Sequence, residues 1–335
     1  MNRLNRFKQS GLFCLALLFL FLSLFPLFGC AKKEEPETVY YTVTFHSGGG
    51  SPIEEQHLAK GMPVRETAIP TREGYLFDGW KTDTGMLWDY ESNFPSSDMT
   101  LNAVWIPITE IFEHDPVGDG TTVLTKLKKP RTLLDVPQTI DGLTVTAIAD
   151  GVFADLSHEK VTRITLPQTV TSVGEDAFYG CEGIEISFDP RAVLSEIGAG
   201  AFFGCDALGA IRLGEGLSRI ASDTFFGCSS LKEIVLPKSL ALLEDNAFAD
   251  CTKLITVTFH ETLTEIGDSA FKDCDSLRTL YFYGTDGQIT SLRENGTSNQ
   301  NDAFLRATAY FYSETKPEDT GNYWYLNENG RPKLW

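Results

Sequence analysis

The chain has 335 residues, with 46 acidic against 28 basic side chains and a net charge of −18. Apolar residues make up 42% and aromatics 12%, enough to fill a core, which excludes wholesale disorder; the length fits about two domains. The acidic excess excludes nucleic acid or another polyanion as the main partner, because phosphate binding needs surplus Lys and Arg. Five histidines are poor material for an imidazole-rich metal centre, and no metal or cofactor is expected.

Residues 1–29 read as an export signal. Arg3, Arg6 and Lys8 precede an uncharged apolar run from Gly11 to Phe28, which ends in Leu27-Phe28-Gly29-Cys30. Leu27, Gly29 and Cys30 resemble the lipobox of bacterial lipoproteins, and the resemblance implies that Cys30 is lipidated and becomes the first mature residue. The alternative is an uncleaved membrane helix, since 18 apolar residues just suffice to span, although Pro26 is a poor helix residue. Either reading places the remainder outside the cytoplasm, tied to the membrane. Removing residues 1–29 deletes three basic and no acidic residues, leaving 46 against 25, or −21. Residues 30–39 form a lipidated Cys and a polar tether containing Pro36.

Residues 40–106 alternate as short strands. Tyr41, Val43 and Phe45 share one face of the first strand, and Leu101 to Trp105 alternate in the last. Gly48-Gly49-Gly50 lacks the Lys of a phosphate loop and reads as a turn. TVTFHSGGG, Gly61, PTREGYLFDGW and TLNAVW resemble the Listeria–Bacteroides surface repeat, also called the internalin B-repeat. That resemblance implies a small β-grasp-like module of a surface protein. Tyr75, Phe77, Trp80 and Trp105 are expected to form its core.

From about residue 130 the sequence repeats. Phe153, Phe178, Phe202, Phe225, Phe248 and Phe271 recur at spacings of 25, 24, 23, 23 and 23. Three residues after each stands Leu156, then Cys181, Cys205, Cys228, Cys251 and Cys274. Short strands are expected at 164–166, 186–188, 211–213, 234–236, 257–259 and 280–282, with a second short strand before each Phe. No 23-residue unit buries its apolar face alone, so units must stack, with strands ~4.8 Å apart. ITLPQTVTSVGEDAFYGC resembles the unit of BspA-like leucine-rich repeats. The resemblance implies a mainly β fold: the small module followed by a BspA-type solenoid. An opening half-repeat plus six repeats would occupy residues 108–283. Residues 284–335 would hold an insertion, a degenerate unit at Asp302-Ala303-Phe304 and an aromatic C-terminal cap.

One Cys per coil forms a single column. Neighbouring Cβ atoms ~4.8 Å apart exceed the usual disulfide separation of ~3.5–4.5 Å, so the five thiols read as a buried ladder beside the six Phe rings. The sequence has no Gly-x-Ser-x-Gly, no His-Glu-x-x-His and no P-loop. His260-Glu261 lacks the second His, Gly198 and Gly200 occupy repeat turns, and Glu175-Asp176 and Glu244-Asp245 recur with the repeat. Asp115 and Asp119 supply too few ligands for calcium. A non-enzyme is therefore expected.

Outward strand positions remain: Thr165, Ser187, Arg212, Val235, Thr258 and Tyr281 on one strand, and Ser172, Glu196, Arg219, Leu242 and Glu265 on the other. Arg212, Val235, Leu242, Tyr281 and Tyr283 are the candidate ligand-binding residues. A broad, shallow repeat face suits an extracellular protein or polysaccharide better than a small metabolite. The family resemblance implies an adhesin-like role, with the chain acting as a monomer. The alternative is a structural spacer or interaction module of the cell envelope.

Overall fold

Alternation builds the first sheet: Val43 and Phe45 are buried while Thr44 and His46 face out. A computed structural model describes residues 38–295 and 300–335; the expected export signal and the expected lipidation site Cys30 lie outside the described residues. Strands β1 (Tyr40–His46), β2 (Gln56–Ala59), β3 (Tyr75–Thr82) and β4 (Met99–Pro107) pair in the order β2-β1-β4-β3. The central pair β1/β4 is parallel and the outer pairs are antiparallel, a β-grasp-like arrangement. Trp80 fills the core, edge-on to Phe45 at 5.0 Å and to Phe77 at 5.2 Å.

Of the four aromatics expected in that core, only Trp80 is fully buried. Phe77 is half-buried beside it. Tyr75 lies under the Arg72 guanidinium, 3.9 Å from its ring centre, an attraction between cation and ring face that works at the surface. Trp105 instead lies across the glycine turn, its Nε1–H donating to the Ser47 carbonyl at 2.8 Å. A Cβ on Gly50 would stand 2.4 Å from the indole, so the turn needs glycine there to admit the ring.

The module passes into the repeats without a linker. Helix α1 (Ile108–Ile111) continues β4, and Ile108, Ile111 and Phe112 are buried in the same core as the coils. A hairpin of β5 (Phe112–Pro116) and β6 (Thr121–Leu127) is followed by β7 (Leu133–Asp135), β8 (Thr139–Ile140) and β9 (Leu143–Ile148). Successive coils then contribute β10 (Arg163–Leu166) and β11 (Ser172–Val173), β12 (Glu185–Phe188) and β13 (Glu196–Ile197), and β14 (Arg219–Ile220). They continue with β15 (Glu233–Val235), β16 (Leu242–Leu243), β17 (Thr256–His260), β18 (Glu265–Ile266) and β19 (Thr279–Tyr283). The inserted segment forms α2 (Asp286–Asn295), which sinks Ile289 and Leu292 into the core. After α3 (Asp302–Arg306), strands β20 (Thr308–Tyr312), β21 (Tyr323–Leu326) and β22 (Pro332–Leu334) complete the chain.

Coil strands of three to five residues form one wall, the long-strand wall, as sheets β7-β10-β12 and β15-β17-β19-β20-β21-β22; a second wall begins with β5, β6 and β9 and continues in two-residue strands, as β5-β6-β9-β11-β13 and β14-β16-β18. Both walls break between the second and third coils. No strand forms at 211–213, where Leu213 makes only an isolated bridge to Leu194. Ile186 to Gly198 spans two residues more than the matching Ile164 to Gly174. The surplus turns out at Asp189–Ala192 and puts Leu194 where Phe188 would have paired. A third wall of turns runs through this seam unbroken: Phe178, Phe202, Phe225 and Phe248 N–H groups donate to the next coil at 2.8–2.9 Å.

Inside, the rings of Phe153, Phe178, Phe202, Phe225, Phe248 and Phe271 stack at 5.1–5.6 Å between centres, within 19° of parallel. Phe304 extends the column at 5.3 Å, and Phe112 closes the other end edge-on. Cys181, Cys205, Cys228, Cys251 and Cys274 are free and fully buried beside it. Each thiol donates to the carbonyl of a ladder Phe, at 3.0–3.3 Å. Burial pushes the Cys205, Cys228 and Cys251 thiols up from their ordinary range, so they stay protonated and unreactive.

The turn wall ends on a side chain. Where another coil would offer a carbonyl to Phe271, buried Asn301 supplies its Oδ1 at 2.9 Å, and its Nδ2 donates to the Gly267 carbonyl at 2.9 Å. The amide thus stands in for the missing backbone of a further coil.

Candidate functional site

Parallel pairing brings equivalent positions of successive coils into rows on the outer face of the long-strand wall. Thr165 pairs with Ser187, and Val235, Thr258, Tyr281 and Tyr310 follow one another in register. The row changes character along its length. Thr165 and Ser187 are polar and half-buried, with Ser187 Oγ 3.4 Å from Thr165 Oγ1. Arg212 is exposed, but the seam removes it from the row, and its Nη1–H donates to the Pro190 carbonyl at 2.8 Å. It braces the displaced turn as well as facing solvent.

Val235 is 60% exposed, an apolar side chain on an open face. Thr258, expected to face solvent, is buried. Leu242, also expected outside, is half-buried in β16. Tyr281 and Tyr283 are half-buried as well, because the C-terminal strands fold Trp324 over them. Trp324 is wholly buried, 5.1 Å from Tyr281, 4.7 Å from Tyr283 and 5.1 Å from Tyr312. Tyr283 also stacks on His260 at 4.1 Å. Burial, helped by Tyr310 and Tyr312, pushes the phenols of Tyr281 and Tyr283 up, and burial together with Lys238 pushes His260 down. The result is an uncharged aromatic block at neutral pH.

A second aromatic strip lies on the turn wall, and the repeat pattern did not single it out. Tyr179, Phe203 and Phe226 stack at 4.7 Å and 4.6 Å, and Tyr179 is 38% exposed. The signal was the doubled aromatic in AFY, AFF and TFF: the first ring of each pair points in, so the next points out.

Concavities also open on the surface. One of about 420 Å³ opens at the seam between Ile186–Asp189 and Gly209–Arg212. A larger one, about 930 Å³, lies between the module and the first coil, lined by residues of 69–79 and 131–139. Among the described residues no group of three or more His, Cys, Asp or Glu is placed to hold a metal ion. Among them, too, no helix is long and apolar enough to cross a membrane.

A model of the BspA type leucine rich repeat region matches in six copies, over residues 146–278 and 190–301. The Listeria-Bacteroides repeat domain matches residues 41–104. A protein of Evansella cellulosilytica, provisionally named as a Gly-rich membrane protein, is 40% identical over 67 residues, 19% of this chain and 8% of its own length. A second from that organism, provisionally named as a membrane protein, is 40% identical over 67 residues and matched over 10% of its length. The chain therefore spans a tenth or less of the relatives it matches. Among solved structures, a leucine rich cell surface protein of Faecalibacterium prausnitzii A2-165 shares 24% identity over 51% of this chain and 53% of its own, with a TM-score of 0.43. A leucine rich repeat protein of T. pallidum shares 22% identity over 59% of this chain and 98% of its own, with a TM-score of 0.41.

Proposed function

From a chain that joins a Listeria–Bacteroides repeat domain to a region of BspA-type leucine-rich repeats, we propose a non-catalytic binding module displayed outside a bacterial membrane. Its repeat face engages an extracellular protein or polysaccharide in an adhesin-like role, and a lipid on Cys30 holds the chain to the membrane. The observation that carries this reading is the in-register outward row, which sets exposed Val235 two strands from the uncharged Tyr281–Tyr283 block on one shallow face, with Thr258 between them. Such a face offers area and apolar anchors without an enclosed reaction chamber, which suits a large partner.

Surface plasmon resonance of the detergent-solubilised full chain over fibronectin, fibrinogen and cell-wall glycans tests the face. Saturable binding to one of them, weakened at least tenfold by Val235→Asp, is expected. Flat responses on all surfaces would favour a spacer of the envelope. Labelling with an alkyne fatty acid in a bacterial host tests the anchor: incorporation is expected in the wild type and its loss in Cys30→Ala.

A further inference from the structure

The cleft between the module and the first coil is bordered by two unpaired strand edges. β7 ends its sheet, paired with β10 on one side and, among the described residues, with nothing on the other. The Thr132 carbonyl accepts the Thr162 N–H at 2.8 Å, and the Val136 N–H donates to the Thr165 carbonyl at 2.9 Å. Strand alternation therefore turns the N–H and C=O groups of Leu133 and Asp135 to the open side. Across the cleft, β3 is the edge strand of the module. Gly74 C=O accepts the Ile108 N–H at 3.0 Å and Leu76 pairs with Ile106, so the Tyr75 carbonyl and both backbone groups of Phe77 turn away from β4.

Two other edges are protected. The far half of β3 is covered, with Trp88 N–H donating to Trp80 C=O at 2.8 Å and Thr82 N–H to Met86 C=O at 2.9 Å. At the other end of the long-strand wall, β22 carries Pro332 and Lys333, both of which blunt an edge. β7 carries neither, and presents Leu133, 47% exposed, facing the same cleft as Ile69, 60% exposed. Its volume, about 930 Å³, lies toward the upper end of the ~300–1,000 Å³ of ligand sites. An ion pair between Arg131 and Asp78 ties its two walls together.

We propose that this cleft binds an extended polypeptide segment of a partner protein, which adds to β7 as a strand. Leu133 and Asp135 present paired donors and acceptors two residues apart, roughly 6.6 Å along the strand. An extended backbone matches that spacing at every second residue, and its alternate side chains reach Leu133 and Ile69. Main-chain bonds supply the affinity, and apolar side chains at alternate positions supply the preference. The site is separate from the repeat face and stands whether or not that face binds anything.

The probe is a fluorescein-labelled, end-capped Thr-Val-Thr-Val-Thr-Val peptide titrated with the full chain and followed by anisotropy. Saturable binding is expected, at least tenfold weaker for the same peptide N-methylated at alternate amides. Asp135→Pro removes an N–H that β10 does not use, so circular dichroism should match the wild type while affinity falls at least tenfold. Slowed hydrogen exchange at Leu133 and Asp135 in the complex is also expected. Equal binding of the methylated and unmethylated peptides to the wild type, or no saturable binding, would overturn the proposal.

Discussion

The module and the coils bury aromatic rings by opposite means. In the module, Trp80, Phe45 and Phe77 meet edge to face around one centre, and its buried set is small: Val43, Phe45, Leu58, Val64, Trp80 and Leu101. In the coils, chemically identical rings repeat in one offset stack, each held between two like neighbours. The module's stability is concentrated in one small cluster around Trp80, whereas that of the coils is distributed along a line and depends on nearest neighbours. The coils must therefore solve a problem the module does not have, which is how to end.

The largest effects should come from the rings. Trp80→Ala and Phe225→Ala each remove a wholly buried aromatic and should cost about 3–5 kcal/mol. The comparison predicts different consequences. Hydrogen exchange should show Trp80→Ala opening β1–β4 while the coils from β15 onward keep their protection. Phe225→Ala should loosen the coils on both sides of it. Equal loss throughout the chain in both variants would break the contrast.

Asn301→Ala should follow, at about 2–4 kcal/mol, because it leaves the buried Phe271 N–H and the half-buried Gly267 carbonyl without the partners Asn301 gives them. Asn301→Asp should fall between, keeping the acceptor and losing the donor. Urea melts of the two variants check the order.

Cys251→Ala should cost about 1–2 kcal/mol through a small void and a lost thiol contact with the Phe225 carbonyl. Cys251→Ser should retain that contact. The ladder also sets an alkaline limit. Burial raises the Cys205, Cys228 and Cys251 thiols above the ordinary 9.0, so the folded chain keeps protons that the unfolded chain releases. Their contribution is complete below pH 9 and declines as pH rises beyond it. The urea midpoint should fall above pH 9, less steeply in Cys251→Ala; identical slopes would contradict the linkage.

Smallest is the surface pair of Arg219 and Glu244, worth under about 1 kcal/mol. Burial opposes the Glu244 charge, but Arg219 and Ser222 outweigh it and hold the carboxyl below its ordinary range. Its contribution is present above pH 4.5 and lost as pH falls through the lowered value. Glu244→Gln should flatten that acid limb.

Periodicity made the coils readable, because a recurring Phe and Cys leave no other way to bury 23-residue units. What the repeat hid were its exceptions. Two extra residues before Gly198 break both strand walls, although they shift the Phe spacing by only one. Asn301 is an ordinary polar residue until the turn wall is seen to end on it. Thr258, Leu242, Tyr281 and Tyr283 read as outward by alternation, yet alternation gives direction and not cover. For Tyr281 and Tyr283 the cover came from Trp324, supplied by a strand far along the chain. The open edges of β3 and β7 were invisible for the same reason: an unpaired strand is defined by what fails to arrive beside it.

One experiment addresses the shared spine directly: alkylation of the native full chain with a small maleimide, with modified positions read by peptide mass spectrometry. The account predicts that Cys181, Cys205, Cys228, Cys251 and Cys274 stay unmodified for hours and all react once guanidinium unfolds the coils. Rapid labelling of any of the five in the native chain would contradict a closed column of stacked coils.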